Sequence, residues 1–268
     1  MDEAPVVLRR IDLFPLKSLP GLSVSSATLM PDGPLEYDRR WALFDAEGHI
    51  VNGKRHPGLH CLDLQFASDL RSLRLGRHDA PADGPEPLQI CWPEEHSLLA
   101  EYVSEVLQFP VQIREDSRLG FPDDTLASGP TIIGTATLHE VTRWFPGLGF
   151  EECCRRFRAN LLLETTVPFW EDRLFGSPNR PRKFWLGEVP MWGINPCKRC
   201  AVPSRDSRSG AVLTGFQKQF AERRQATFPS EISAAHFNHY YRLAVNTRLD
   251  NQRTGQVLRV GDRVRLDD

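Results

Sequence analysis

The chain has 268 residues, of which 40% are hydrophobic and 25% are charged, a composition typical of globular proteins. This length suits one large domain or two modest ones, and it can bury a sizeable core without disulfides. The formal net charge is −2 with both signs interspersed, so we expect no nucleic-acid partner. The apolar runs fall far short of the roughly 20 residues that span a bilayer, so we expect no membrane partner.

Cysteine usage and the N-terminus indicate a reducing compartment. The acidic start, Met-Asp-Glu-Ala-Pro, lacks the apolar segment of a secretory signal. The cysteines are irregularly spaced in a long chain, which argues against a disulfide scaffold. There are six of them: Cys61, Cys91, Cys153, Cys154, Cys197 and Cys200. We therefore expect a soluble cytoplasmic protein.

The first part of the chain is predicted to be rich in β structure, followed by one helix. The turn at 45–48 lies between two apolar runs and predicts a hairpin. Apolar residues at helical spacing predict a helix over 94–108, which Pro110 closes. Polar residues with Pro and Gly predict a linker or long loop over 115–130. Strands are predicted over residues 6–14, 23–30, 61–67 and 70–75.

The second part begins near residue 131 and mixes short strands with two helices. Thr137 is predicted to cap a helix that runs to about 145, with Glu140 three residues later completing a capping box. A second helix is predicted over 211–224. Strands are predicted over 131–133, 157–164, 183–186, 189–192, 241–245, 256–260 and 263–266, the last two as a hairpin turning at Gly261-Asp262. Strands and helices do not alternate regularly, which favours two β-barrel-like domains over a doubly wound sheet.

Cys197 and Cys200, in the run Pro-Cys-Lys-Arg-Cys, are the strongest chemical signal. The pair could be half of a zinc site, completed by His236 and His239. It could be a thioredoxin-type dithiol, although the flanking residues predict strand or loop rather than the start of a helix.

Two further interpretations of the pair remain open on spacing alone. The cysteines could simply pack in the core. Alternatively, one of them could be a metal-ligating thiolate, because Lys198 and Arg199 would favour the thiolate form and attract an anionic cofactor. Soft thiolates prefer soft or sulfur-rich metal centres.

Several short motifs occur in an order that resembles the MOSC (molybdenum cofactor sulfurase C-terminal) domain and the β-barrel domain that precedes it in one branch of that family. The motifs of the first half are Phe14-Pro15-Leu16-Lys17-Ser18, Asp38-Arg39-Arg40-Trp41, Asp45-x-x-Gly48 and Arg55-x-Pro57. Those of the second half are Phe157-Arg158-Ala159-Asn160, Glu171-Asp172, Leu186-Gly187-Glu188-Val189, Pro196-Cys197-Lys198-Arg199-Cys200 and Asp206-x-x-x-Gly210.

The resemblance implies a fold and a domain order. It implies a β-rich mixed α/β protein, in which an N-terminal β-barrel-like domain packs on a MOSC β-barrel domain with a few helices. We expect the first domain over 1–115 and the MOSC domain over 116–268. The family often has Asp-Pro-x-Thr-Gly after the cysteines, where this chain has Asp206-Ser-Arg-Ser-Gly210. We therefore interpret Asp206 as a turn-forming residue.

The resemblance also implies a molybdenum cofactor, Mo-molybdopterin. The second cysteine of the pair supplies the thiolate ligand in that family, which assigns metal binding and catalysis to Cys200. Cys197 is then a neighbour whose role is open. Matching positions imply that the cofactor is held by Lys17, Ser18, Arg39 and Arg158, with Asn160, Lys198 and Arg199 as additional binding residues.

The branch with both domains includes the mitochondrial amidoxime-reducing component and its bacterial relatives. By resemblance, this protein is expected to be an oxidoreductase that reduces N-hydroxylated small molecules such as hydroxylamines and amidoximes. The sequence holds no cluster of cysteines for an iron–sulfur centre, so electrons are expected from a separate donor protein: a ferredoxin, a flavodoxin or a b-type cytochrome. The alternative is a cofactor-binding, sulfur-carrier or cofactor-handling protein without substrate turnover.

Overall fold

The computed structural model describes residues 5–31, 33–81, 84, 86–230, 232–249 and 255–267. Short strands outnumber helices in this part of the chain, so the predicted β-rich mixed α/β class is confirmed. The strands are β1 (Val7–Leu13), β2 (Leu22–Val24), β3 (Ser26–Thr28), β4 (Trp41–Phe44), β5 (Leu62–Phe66), β6 (Ser72–Arg77), β7 (Leu88–Cys91), β8 (Gln112–Glu115), β9 (Ile132–Gly134), β10 (Leu161–Glu164), β11 (Arg182–Leu186), β12 (Val189–Lys198), β13 (Arg242–Leu249), β14 (Val257–Arg259) and β15 (Val264–Leu266). The helices are α1 (His96–Leu107), α2 (Thr135–Trp144), α3 (Phe150–Phe157) and α4 (Phe216–Ala226).

An eight-stranded sheet joins the start of the chain to its second half. Its order is β15-β11-β12-β13-β9-β10-β1-β2. Strand β1 pairs antiparallel with β10, with Leu8 opposite Leu163 and Ile11 opposite Leu161. All four side chains are fully buried and share one hydrophobic core with residues from β9, β11, β12 and β13. Strand pairing therefore crosses the expected boundary between 115 and 116, whose position stays a prediction.

The remainder of the first half has its own core. Two small antiparallel sheets, β4-β8 and β5-β6-β7, pack with α1 around buried leucines, Trp41 and Trp92. Leu99 and Val103 lie one turn apart on α1 and face this core, as residues four positions apart on a helix must. The predicted hairpin is present, because Asp45 and His49 are joined by a backbone hydrogen bond and Phe44 pairs with Ile50.

None of the helices among the described residues is both long and apolar enough to cross a bilayer.

Three local predictions are wrong. Residues 157–160 do not extend strand β10, because helix α3 runs to Phe157 and Arg158 ends it in the left-handed conformation. Acidic residues in the first turn of α3 and basic residues in its last turn suit the helix dipole. The predicted hairpin at 261–262 is a turn between strands of different sheets, since β14 pairs with β3 and β15 with β11. Helix α4 begins only at Phe216, after a left-handed Gly215.

The capping box at Thr137 is also wrong. Helix α2 begins at Thr135 after Gly134, so Thr137 lies inside the helix and is fully buried. Its hydroxyl accepts the Phe169 N–H at 2.6 Å and donates to Glu171 Oε2 at 2.8 Å. Tertiary partners therefore use the oxygen that the sequence pattern assigned to the helix N-terminus.

This arrangement predicts the effect of removing the Thr137 hydroxyl. Thr137→Val should lower the free energy of unfolding by about 1–3 kcal/mol, because a buried N–H and a buried carboxylate each lose a partner. Urea unfolding measures this change. Thr142→Val is the matched control on the same helix, since that hydroxyl only donates to the His139 carbonyl at the surface, and it should change stability by less than about 0.5 kcal/mol. Equal effects would contradict the buried role of Thr137.

Candidate functional site

A cleft of about 1090 Å³ brings the predicted site residues together. All eight line it, although they come from both halves of the chain: Lys17, Ser18, Arg39, Arg158, Asn160, Lys198, Arg199 and Cys200. The cleft lining holds twelve Lys and Arg side chains against six carboxylates. It is therefore strongly cationic in a protein whose net charge is −2, and it suits an anionic ligand.

Three of these residues are held in an uncommon backbone conformation. Ser18, Arg39 and Arg158 have φ values of 71°, 50° and 50°, in the left-handed region that non-glycine residues seldom occupy. The Arg39 N–H donates to the Phe14 carbonyl at 2.8 Å, and the Arg158 N–H donates to the Cys154 carbonyl at 2.9 Å. Such conformations cluster at ligand-binding sites, where the surrounding structure holds them in place.

Two arginines share one aromatic ring at the centre of the cleft. The guanidinium carbons of Arg158 and Arg39 lie 4.1 and 5.4 Å from the centre of the Phe14 ring. Arg39 is also paired with buried Asp38, which in turn accepts the Phe14 N–H at 2.9 Å. The ring and the carboxylate thus fix the position of Arg39.

The charge and hydrogen-bond donors of Arg158 are less fully satisfied by neighbouring groups than those of Arg39. The Nη2 of Arg158 is buried and has no hydrogen-bond partner among the described residues. Burial, followed by the charge of Arg39, lowers the pKa of Arg158 to about 9. A buried guanidinium nitrogen without a partner is costly, and an anion bound in the cleft would satisfy it.

Asn160 is held by hydrogen bonds from its side-chain amide. Its Oδ1 accepts the Thr131 N–H at 3.2 Å and an Arg39 N–H at 3.3 Å. Its Nδ2 donates to the Asp12 carbonyl at 3.1 Å. Because the amide is used in these contacts and the residue is almost fully buried, Asn160 positions Arg39. Direct contact between Asn160 and a cofactor stays a prediction.

The two cysteines of the pair lie in different environments. Cys197 is buried near the end of β12 and donates from Sγ to Asn246 Oδ1 at 2.5 Å. Burial is the main cause that raises the pKa of Cys197 to about 11, so its thiol stays protonated. Cys200 lies just beyond β12, is exposed, and accepts the Val202 N–H at 3.4 Å on its sulfur. Cys200 is therefore the cysteine of this pair whose sulfur is open to a ligand.

The zinc and dithiol interpretations do not fit this geometry. His236 Nε2 lies 3.0 Å from the Gly176 carbonyl oxygen. Among the residues that the structure describes, the one group of three ligand atoms close enough to share a metal is Asp45, Glu47 and His49, on the surface turn after β4. A 3-10 turn over Val202–Ser204 follows the cysteines instead of an α-helix, which argues against a thioredoxin-type dithiol.

Residues 119–131 have a part in the site that the sequence does not predict. Residues 115–130 are predicted as a linker or long loop, yet Asp123, Asp124, Ser128 and Gly129 line the cleft. Lys17 Nζ donates to Asp123 Oδ1 at 2.5 Å and to the Phe121 carbonyl at 2.8 Å. The adjacent aspartates in an irregular segment were the available signal, because binding residues are often carried on loops.

Three acidic residues from motifs of the second half, Glu171, Asp172 and Asp206, are not among the residues that line the cleft. Asp172 forms a buried ion pair with Arg224, and the pKa of its neighbour Glu171 is raised to about 7 by burial and by the Asp172 charge. Asp206 Oδ1 accepts the N–H groups of Arg208 and Ser209 at 3.1 and 2.9 Å. Its predicted turn-forming role is confirmed.

The family comparison agrees with the motifs of the first half. Residues 6–93 match the family model of the MOSC N-terminal beta barrel domain. Over this third of the chain, the sequence is similar to a MOSC N-terminal β-barrel domain. The resemblance to MOSC-domain proteins is thereby confirmed, and a function related to the molybdenum cofactor is supported.

Similar proteins of known name are molybdenum cofactor sulfurases. The protein from Drosophila grimshawi is 25% identical in an alignment 231 residues long that covers 76% of this chain and 28% of that protein. The protein from Oryza sativa subsp. japonica is 23% identical in an alignment 251 residues long that covers 77% of this chain and 29% of that protein. The chain thus spans less than a third of the length of these relatives.

A solved structure, the YuaD protein from Bacillus subtilis, matches with a TM-score of 0.38 and 7% sequence identity. The match covers 98% of this chain and 96% of that one.

The contrast between the two cysteines predicts their reactivity. Under native conditions iodoacetamide should alkylate Cys200 at least about tenfold faster than Cys197, because Cys197 is buried and protonated. Trypsin cleaves after Lys198 and Arg199, so the two cysteines fall in different peptides and mass spectrometry can quantify each one. In urea the two should react alike. Equal labelling of the native protein would instead indicate an accessible dithiol.

The buried Nη2 of Arg158, which lacks a hydrogen-bond partner among the described residues, predicts that this arginine favours anion binding at the expense of folding stability. Without a bound anion, Arg158→Gln should leave the free energy of unfolding unchanged or raise it, because it removes a poorly compensated buried charge. Arg155→Gln is the control on the same helix. That arginine pairs with Glu152 at the surface, and its loss should cost up to about 1 kcal/mol. Marked destabilisation by Arg158→Gln would show that Arg158 is a structural residue.

Proposed function

We propose that the cleft binds Mo-molybdopterin, with Cys200 as the protein ligand of molybdenum, and that the protein reduces N-hydroxylated small molecules. One observation carries this proposal: the exposed Cys200 lines the same cleft as an excess of cations from both halves of the chain. A soft thiolate beside phosphate-binding side chains suits a cofactor that joins a metal to a phosphorylated organic group.

The residues present fit such a cofactor. The buried Nη2 of Arg158 lacks a partner among the described residues and would gain one from a phosphate oxygen, for which guanidinium geometry is well suited. Lys17 would contribute a point charge, and the hydroxyl of Ser18 would donate or accept a hydrogen bond. The Val202 N–H, which points at Cys200 Sγ, would stabilise negative charge on that sulfur.

The proposed reaction consumes two electrons and two protons. The N–O bond of the substrate breaks, the nitrogen gains a hydrogen, and the oxygen leaves as water. The cofactor supplies the redox chemistry when it is bound, whereas the protein supplies binding, orientation and electrostatics. The chain's part is to hold the reacting centre at Cys200 and to orient the anionic end through Arg39 and Arg158.

Electrons would come from a separate ferredoxin, flavodoxin or b-type cytochrome. Lys198 supports this part of the proposal, because it is exposed on the cleft lining and lies two residues from Cys200. Positive charge beside a redox centre attracts donors with acidic surfaces. The six cysteines are free, which suits the reducing cytoplasm that we propose as the location.

Metal analysis and activity assays of the wild-type protein and of two serine variants test the proposal. Wild-type protein made in a host that synthesises the cofactor should contain molybdenum and should reduce a hydroxylamine in a dye-coupled assay. Cys200→Ser should lose more activity than the roughly 10–100-fold that removal of a supporting residue costs. Cys197→Ser is the matched control, because a hydroxyl can keep the hydrogen bond to Asn246, and its loss should be milder.

The outcomes separate the rival functions. Wild-type protein without molybdenum would reject the proposal. Equal losses in the two serine variants would point to a metal or dithiol shared by both cysteines.

A second candidate function is cofactor handling or sulfur transfer without substrate turnover. It is favoured by the similarity to proteins named as molybdenum cofactor sulfurases. Protein that contains molybdenum but reduces no N-hydroxylated compound with several chemical and protein donors would support this alternative over the reductase.

A further inference from the structure

Asp123 lies among the cations that the proposed cofactor would need. Its Oδ1 accepts from Lys17 Nζ at 2.5 Å. Its charge also favours the charged forms of Arg39 and Arg158, and Arg199 acts in turn on Asp123. One carboxylate therefore interacts with four of the predicted cofactor-binding cations.

The electrostatics of Asp123 confirm that this contact is attractive. Water reaches the Asp123 side chain, yet the surrounding cleft wall partly desolvates its carboxyl and disfavours the ionised form. Lys17, followed by Arg39 and Arg199, outweighs that cost and holds the pKa of Asp123 below its usual value. The carboxylate is thus charged and paired in the protein as described.

A second carboxylate, Asp38, is a permanent counterion in this cleft and serves as a comparison. Asp38 is 8% exposed, accepts the Phe14 N–H and pairs with Arg39. It is part of the scaffold, because its removal would leave a buried N–H and a buried guanidinium without partners.

Asp123 is also paired with a cation, but it differs from Asp38 in its exposure and in its backbone. Its side chain is 86% exposed, whereas that of its partner Lys17 is 13% exposed. It belongs to a stretch between β8 and β9 that contains neither helix nor strand, so its backbone is not held by a sheet or a helix. The cation is therefore fixed and the anion can leave.

We infer that Asp123 is an internal counter-anion that occupies the place of the ligand's anionic group and makes the cleft selective for dianions. The inference rests on the proposed function and deepens it, since it names a phosphate dianion as the group that displaces Asp123. Exchanging one carboxylate for another gains no charge, so a monoanion binds weakly. A dianion brings additional attraction to Lys17 and the neighbouring guanidinium groups.

Anion binding to the protein free of molybdenum tests this inference. The probes are inorganic phosphate and acetate, titrated by calorimetry at low ionic strength, where screening is small, and at a mildly alkaline pH that keeps phosphate dianionic. Wild-type protein should bind phosphate and not acetate. Asp123→Asn should bind phosphate about tenfold tighter, and its binding of acetate should become measurable.

A matched control removes the adjacent charge. Asp124 also lines the cleft, but its Oδ1 accepts the Leu126 N–H at 2.9 Å, a bond that asparagine can keep. Asp124→Asn should leave the preference for phosphate over acetate unchanged. Arg158→Gln should weaken phosphate binding in the wild-type and Asp123→Asn backgrounds alike, which places the probe at the cation group.

Hydrogen exchange adds an independent readout. Amides of residues 119–127 should exchange faster when phosphate is bound to wild-type protein, because the link between Asp123 and Lys17 is broken. In Asp123→Asn, phosphate should leave their exchange unchanged.

Failure of the inference is distinguishable from failure of the proposed function. Weaker or unchanged phosphate binding by Asp123→Asn would overturn the inference, even if the wild-type protein contains molybdenum. Tighter phosphate binding by Asp123→Asn in a protein that never contains molybdenum would support a dianion-selective site and reject the cofactor.

Discussion

Antiparallel pairing of β1 with β10 is the interaction on which the cleft depends. Phe14, Lys17 and Ser18 follow the end of strand β1, and Arg158 and Asn160 precede the start of β10. In an antiparallel pair the end of one strand lies beside the start of the other. The register, Ile11 opposite Leu161, therefore brings the two groups of binding residues together. The Asp12 N–H donates to the Asn160 carbonyl at 2.7 Å and extends the contact between the two segments beyond strand β10.

The cleft concentrates positive charge at a cost to the unliganded protein. Arg39 has a scaffold partner in Asp38, whereas Arg158 retains a buried nitrogen that no described residue satisfies. Left-handed backbone at Ser18, Arg39 and Arg158 adds strain. Uncompensated charge and strain at one place are typical of sites that are completed by a ligand. The rest of the fold, with its extensive apolar core, supplies the stability that tolerates them.

The two candidate functions make the same demands on this site. A reductase and a cofactor-handling protein must each hold an anionic organic group and leave one sulfur open to a metal. Exposed Cys200 and the cation group meet those demands in both cases. The difference lies in substrate turnover and electron supply. Similarity to molybdenum cofactor sulfurases, over less than a third of their length, supports an association with the molybdenum cofactor.

The sequence by itself determined the β-rich class and most strands, and its resemblance to a known family named eight side chains that line one cleft. Those inferences rest on local alternation of apolar residues and on short motifs, whose signals lie within a few positions of one another. Tertiary structure decided what those side chains do. It separated buried Cys197 from exposed Cys200, gave Asn160 a supporting role and brought Asp123 to Lys17. It also moved Thr137 from a helix cap to a buried bond with Phe169 and Glu171. Burial and partnership across more than 100 positions arise from strand pairing and packing, which no local pattern records.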